Sequence, residues 1–178
     1  MPHRHDLPVI VSAHDGYPRL VHSGADFIEI DIRRDAGGAI ILAHDEPTTP
    51  DAHPTLDEVL DDIDGSIGLH LDLKEAGFEQ ELLRKVLERL PPSRVVATPD
   101  FDESVRAIKQ DFPEVRVSPI DFVAVDHEKL SAYVGRLPIW VWTVDDKRLM
   151  KRYMKDARIE AIITNRPDLA LKLRKARS

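Results

Sequence analysis

The sequence predicts an α/β fold: a compact (β/α)8 barrel with shortened early helices and a β-hairpin extension after strand 2. Three observations point there. Short β-branched runs alternate with helical patterns along the 178 residues, which implies parallel strands joined by crossovers. Seven or eight such strands remain once the hairpin's return strand is set aside. Ionisable residues collect where strands end, the place where such barrels carry their active sites. A doubly wound open sheet is the alternative arrangement of the same elements.

In chain order, strands are expected at 8–12, 26–32, 39–43, 67–73, 94–98, 115–118, 138–144 and 159–164. "DAGG" at 35–38 reads as the tight turn that joins the second run to the third as a hairpin. Helical patterns fill 55–63, 76–90, 102–111, 145–157 and 166–175. "TLDE" at 55–58 is a capping-box signature ahead of Val59 and Leu60. Leu82, Leu83, Val86, Leu87 and Leu90 recur at helical spacing and mark one buried face. Pro91-Pro92 ends that helix. The length predicts one barrel domain over 1–178, with 1–6, including His3 and His5, as a flexible tail.

Composition narrows the class. No apolar stretch approaches the ~20 residues of a membrane span, and the N-terminus lacks the apolar core of a signal peptide. The expected location is therefore cytoplasmic. The absence of Cys excludes disulfides, thiolate catalysis and Cys-ligated zinc. Net charge is −7, and residues 146–178 carry eleven Lys/Arg against four Asp/Glu (+7), which leaves −14 on the first 145 residues. An acidic bulk argues against nucleic-acid binding. The basic end reads as two solvated helices with basic last turns; contact with a membrane surface or an anionic partner is the alternative.

Two strands carry a polar face that plain packing does not need. In "DFIEIDIRR" at 26–34, Phe27, Glu29 and Asp31 share one face, and Ile28, Ile30 and Ile32 share the other. In "LHLDLK" at 69–74, the leucines share one face and His70, Asp72 and Lys74 the other. If the isoleucines pack against helices, Glu29, Asp31 and Asp72 converge near the barrel axis. Carboxylates about 4 Å apart repel by roughly 4 kcal/mol per pair at an effective dielectric near 20. They therefore take up protons, are held by a hard cation such as Mg²⁺ or Ca²⁺, or join a salt-bridge network with Lys74, Arg33 or Arg34. His14 ends the first strand in "VSAHDGY", and His44 ends the hairpin in "ILAHDE". Two imidazoles beside a metal suit paired acid and base chemistry; hydrogen-bonded surface residues are the alternative. "WVWTVDD" at 140–146 places Trp140, Trp142 and Val144 on one face. Trp142 is the candidate pocket wall, and Trp140 is equally suited to packing against the next helix.

The stretches "AHDG", "GADFIEIDIRRDAGGAIILAHD", "PTLDEVL", "LHLDLK", "WTVDD" and "IITNRPD" together resemble the glycerophosphodiester phosphodiesterase family. That family lies within the wider group of barrel phosphodiesterases that includes sphingomyelinase D. The resemblance implies a metal-dependent phosphoric diester hydrolase of lipid metabolism. It implies catalysis by His14 and His44 and one divalent cation, Mg²⁺ or Ca²⁺, on Glu29, Asp31 and Asp72. Lys74 matches a phosphate contact and Trp142 the Trp of the "W-T-V" strand; His70 and Asp15 are further substrate-binding candidates of this sequence itself. It further implies that the substrate's own hydroxyl attacks, giving a cyclic phosphate. The implied partner is a small-molecule or lipid-head-group phosphodiester. Two departures stand out. The chain reads His14-Asp15-Gly16 where glycerophosphodiesterases usually read His-Arg-Gly, and the segments 17–23 and 45–53 are short. The site is therefore expected to be shallow and open unless a partner subunit, as in a homo-oligomer, covers it. The rival readings are a non-catalytic metal- or ligand-binding barrel, and a lyase or cyclase acting on a phosphorylated metabolite.

Overall fold

The computed structural model describes residues 8–47, 53–63 and 65–176; the expected tail at 1–6 lies outside them. The strands are β1 (Ile10–Ala13), β2 (Phe27–Arg34), β3 (Ile40–Leu42), β4 (Gly68–Leu73), β5 (Val95–Pro99), β6 (Arg116–Val117), β7 (Val123–Asp126), β8 (Ile139–Trp142) and β9 (Ile159–Thr164). The helices are α1 (Leu56–Asp62), α2 (Glu79–Arg89), α3 (Asp102–Asp111), α4 (Lys147–Tyr153) and α5 (Pro167–Lys175).

The strands run in the order β6-β5-β4-β2-β1-β9-β8-β7, with β3 paired off this path to β2. All pairs are parallel except the β2–β3 hairpin. This is the cyclic order of an eight-stranded α/β barrel, opened between β6 and β7. Among the described residues one side chain reaches across that seam in place of a ladder: Ser118 Oγ, just past β6, accepts from Ala124 N of β7 at 3.4 Å. The Asp121 carboxylate caps the end of β6, accepting from Val117 N at 2.8 Å.

Two apolar layers follow from strand alternation. Ile28, Ile30, Ile32, Leu69, Leu71 and Leu73 face outward into the core they share with Leu82, Leu83 and Val86 of α2. Inside the barrel a smaller core gathers Phe27, Val96, Phe122, Trp140, Ala161 and Ile163. Trp140 centres it, with Phe27, His70 and Phe122 at ring distances of 5.5, 5.2 and 5.0 Å. Trp140 therefore packs inside the barrel rather than against the next helix. Val144 does not share its face and joins the outer core.

Local chemistry sets the ends of elements. Thr55 caps α1 in a complete capping box with Glu58. Arg174 of α5 donates to Val9 O at 3.0 Å and pairs with Asp26, which also accepts from Val11 N. Residues 17–23, expected to be short, form consecutive turns, with one helical bond from Leu20 N to Gly16 O (2.7 Å). One expectation needs correction. A strand, β7, lies in a stretch where none was expected.

Candidate active site

The C-terminal strand ends surround one cavity of about 640 Å³. His14, Asp15, Glu29, Asp31, His44, His70, Asp72, Lys74 and Trp142 all line it, with Thr98, Pro99, Asp100, Ser118, Ala124 and Ile163. The residues singled out from the sequence thus meet at one mouth.

Register brings the acids together. In the β2–β4 ladder Asp31 lies opposite Asp72, and Glu29 opposite His70. One carboxylate oxygen from each of Glu29, Asp31 and Asp72 lies within 4.8 Å of the others. Glu29 is 4% exposed. Burial pushes its carboxyl up to about 8; the Asp15 N–H, 2.9 Å from Oε2, opposes this, and the Asp31 and Asp72 charges add to it. Burial also raises Asp72, against the pull of Lys74. Lys74 Nζ stands 2.8 Å from Asp72 Oδ2 and 3.3 Å from Asp31 Oδ1. Arg33 and Arg34 turn away instead, to Glu75 and Glu81. Part of the expected salt-bridge network is therefore present, built on Lys74 alone. Three carboxylates against one ammonium still leave a charge of −2 when all are ionised. An all-oxygen donor set of that charge and spacing fits a hard divalent cation with bonds of about 2.0–2.6 Å.

Asp15 and Gly16 shape this corner. Asp15 has φ 43°, which aims its N–H at Glu29. Gly16 donates to Glu29 O at 3.0 Å, and a Cβ there would sit 3.0 Å from both Ala13 O and Ile28 Cγ2. The close approach of two strands leaves a Cβ little room and favours glycine at this position.

The β1–β9 register pairs Ala13 with Thr164, so His14 comes beside Asn165. His14 Nδ1 lies 3.0 Å from Asn165 Oδ1, while Asn165 Nδ2 donates to Asp145 Oδ2 at 2.8 Å. A carboxylate only accepts, so the amide nitrogen must face Asp145 and its oxygen must face His14. His14 therefore carries its proton on Nδ1, which leaves Nε2 for proton transfer. Burial raises Asp145, but hydrogen bonds from Asn165 and Thr164 outweigh it and hold it below its ordinary range. Sequence reasoning missed Asp145 and Asn165, although both lie in "WTVDD" and "IITNRPD" at strand ends.

His44 sits on the outer rim, its side chain 71% exposed and its Nδ1 3.0 Å from Asp45 Oδ1. Its backbone is fixed to β2 through Arg33 Nε, which donates to His44 O at 3.0 Å. His70 is the opposite case, 1% exposed on the cavity floor. Its nitrogens face Thr98 Oγ1 (3.0 Å) and Ser12 Oγ (3.5 Å). Burial lowers it to about 3, so the ring is neutral. Trp142 closes one side of the mouth and is 41% exposed. Among the described residues, no helix is long and apolar enough to cross a membrane.

No protein-family model and no curated protein matches the sequence. Solved structures do match. A glycerophosphodiester phosphodiesterase from Parabacteroides distasonis superposes with a TM-score of 0.78 at 20% identity, over 96% of this chain and 98% of that one. One from Thermotoga maritima gives 0.74 at 19% identity, over 93% and 98%. A phosphodiesterase from Oleispira antarctica, in complex with the product sn-glycerol-3-phosphate, gives 0.72 at 17% identity, over 96% and 98%. The chain has the fold of these enzymes, as the resemblance in its sequence implied.

Proposed function

We propose that the protein is a divalent-metal-dependent phosphodiesterase acting on a small-molecule or lipid-head-group diester. The observation that carries this reading is the convergence of Glu29, Asp31 and Asp72 with two imidazoles around one cavity. Its volume of about 640 Å³ lies in the range of small-molecule sites. The phosphodiesterase fold and the glycerol phosphate bound by the Oleispira protein support the same substrate chemistry.

Glu29, Asp31 and Asp72 hold the cation. When bound, a divalent cation supplies positive charge to a non-bridging phosphate oxygen. Lys74, already fixed between Asp31 and Asp72, faces the same phosphate as a point charge. His14 and His44 each have Nδ1 engaged, by Asn165 and by Asp45. Each therefore works through Nε2: one takes the proton of the attacking hydroxyl, and the other returns a proton to the leaving oxygen. His70 stays neutral beneath them and gives the floor its shape. A vicinal substrate hydroxyl as nucleophile yields a cyclic phosphate; water yields the monoester directly.

The test is a screen of glycerophosphodiesters, lysophospholipids and cyclic phosphates with Mg²⁺, Ca²⁺ or Mn²⁺, followed by ³¹P NMR. A product that forms with wild type and not with His14→Ala supports the reading. No turnover of any diester with any of the three ions leaves a non-catalytic barrel.

A further inference from the structure

We propose that the outer face of α4, with Trp142 at its mouth end, docks the protein onto an anionic lipid bilayer, independently of the reaction in the cavity. Lys147 and Lys151 lie one turn apart on this helix, as do Arg148 and Arg152, and Lys155 follows in the turn that closes it. All five are exposed, while Met150, Tyr153 and Met154 bury the opposite side. α5 packs beside α4 and exposes Lys172 and Lys175. Like charges one turn apart destabilise a helix, and little here relieves them. Lys147, Lys151 and Lys155 pair with no carboxylate among the described residues; Asp146 and Asp156, at the two ends, act on Arg148 and Arg152. The exposed cations of α2 are held differently. Lys85 and Arg89 each meet a carboxylate of α1, Asp57 and Asp61, at 2.9 Å.

The charge distribution and the rim favour a bilayer over a polymeric partner. Residues 146–178 carry +7 and the first 145 carry −14. A nucleic acid that continues past the ends of the row meets carboxylates, whereas a flat surface touches this one side only. Lysines are hydrated point charges on flexible stems. They suit a fluid array of head groups better than the fixed bidentate contacts of a specific anion site. The row starts at the mouth end of the barrel, where Trp142 is 41% exposed. An indole, with an apolar ring and one N–H, settles at the boundary between head groups and acyl chains. Glu29, Asp31 and Asp72 stay recessed in the cavity and do not face that surface.

The test sediments the protein with sucrose-loaded vesicles, of phosphatidylcholine alone or in equal parts with phosphatidylglycerol. EDTA is present, so that no divalent ion bridges protein and lipid. Wild type should sediment with the anionic vesicles at low salt, stay in solution with the neutral ones, and be released at high salt. Each basic residue at an anionic surface contributes about fivefold, so Lys151→Ala/Arg152→Ala should weaken binding roughly thirtyfold. Lys85→Ala/Arg89→Ala removes the same charge from α2 and should change binding little. Acrylamide quenching, which reaches Trp142 and not the buried Trp140, should fall when vesicles bind. No sedimentation of wild type with anionic vesicles at low salt overturns the docking surface. Equal weakening in the two double variants, or quenching that bound vesicles leave unchanged, overturns it as well. A duplex oligonucleotide that displaces the protein from vesicles at matched phosphate concentration overturns the lipid assignment and gives the face to nucleic acid.

Discussion

Replacing Asn165 with Ala leaves His14 Nδ1 without the carbonyl it faces at 3.0 Å. The ring can then rotate and change tautomer. His14→Ala and His44→Ala should each lower turnover by about 10²–10⁴-fold. Asn165→Ala should lower it less and displace the pH–rate profile, a readout that lost packing alone would not move. Near-wild-type turnover in either His variant removes that residue from the chemistry. Glu29 makes a second prediction at this scale. Its carboxyl is raised to about 8, so at neutral pH a cation must displace its proton. Calorimetry should show Mg²⁺ binding tightening as pH rises from 6 toward 8.5, with proton release, and Glu29→Gln should weaken that dependence. The candidate residues were legible because strand alternation and strand ends predict where side chains point. Asp145 and Asn165 were not: their contact exists only through the β8–β9 ladder, across twenty positions.

Among elements, the strands with two apolar neighbours read clearly, because burial on both faces enforces a β-branched run. β7 did not. It is four residues long, only partly buried, and laddered on one side to β8 alone. The missing helix between β1 and β2 has an equally local cause: Gly16 binds that turn to the backbone of Glu29, and too few residues follow before β2 begins. Gly16→Ala tests this junction. With contacts of 3.0 Å to Ala13 O and Ile28 Cγ2, the added methyl should cost about 1–3 kcal/mol. It should lower Tm by a few degrees to about ten degrees, and should weaken metal binding, because Asp15 N–H moves off Glu29. Unchanged Tm and metal affinity would show that the strand junction tolerates a Cβ.

On the scale of the whole molecule, the buried ionisable groups give stability a pH shape. His70 titrates near 3 in the fold against an ordinary 6.5. Between those values only the unfolded chain binds its proton, so this contribution is complete above 6.5 and lost as pH falls toward 3. Glu29 is raised from 4.5 to about 8. The fold alone holds that proton in between, so its contribution is complete below 4.5 and lost as pH rises toward 8. For these two groups the slopes oppose each other from 4.5 to 6.5. Metal-free protein should therefore show a stability plateau there, with losses on both sides. Thermal melts across pH 4–9 check this, and Mg²⁺ or Ca²⁺ should restore stability on the alkaline side alone. The overall fold was legible as a barrel because seven or eight alternating parallel runs have few ways to bury both faces; the β6–β7 seam was not, because capping by Asp121 and Ser118 has no sequence period. The central claim is that Glu29, Asp31 and Asp72 hold a cation on which phosphodiester cleavage depends. The most direct measurement follows turnover of the best substrate by ³¹P NMR in protein stripped with EDTA, then dialysed into Mg²⁺, Ca²⁺ or Mn²⁺. Stripped wild type should be inactive and regain turnover with at least one ion, while Asp31→Asn should stay inactive at the same ion concentration. Equal turnover before and after stripping, or full recovery in Asp31→Asn, would contradict the account.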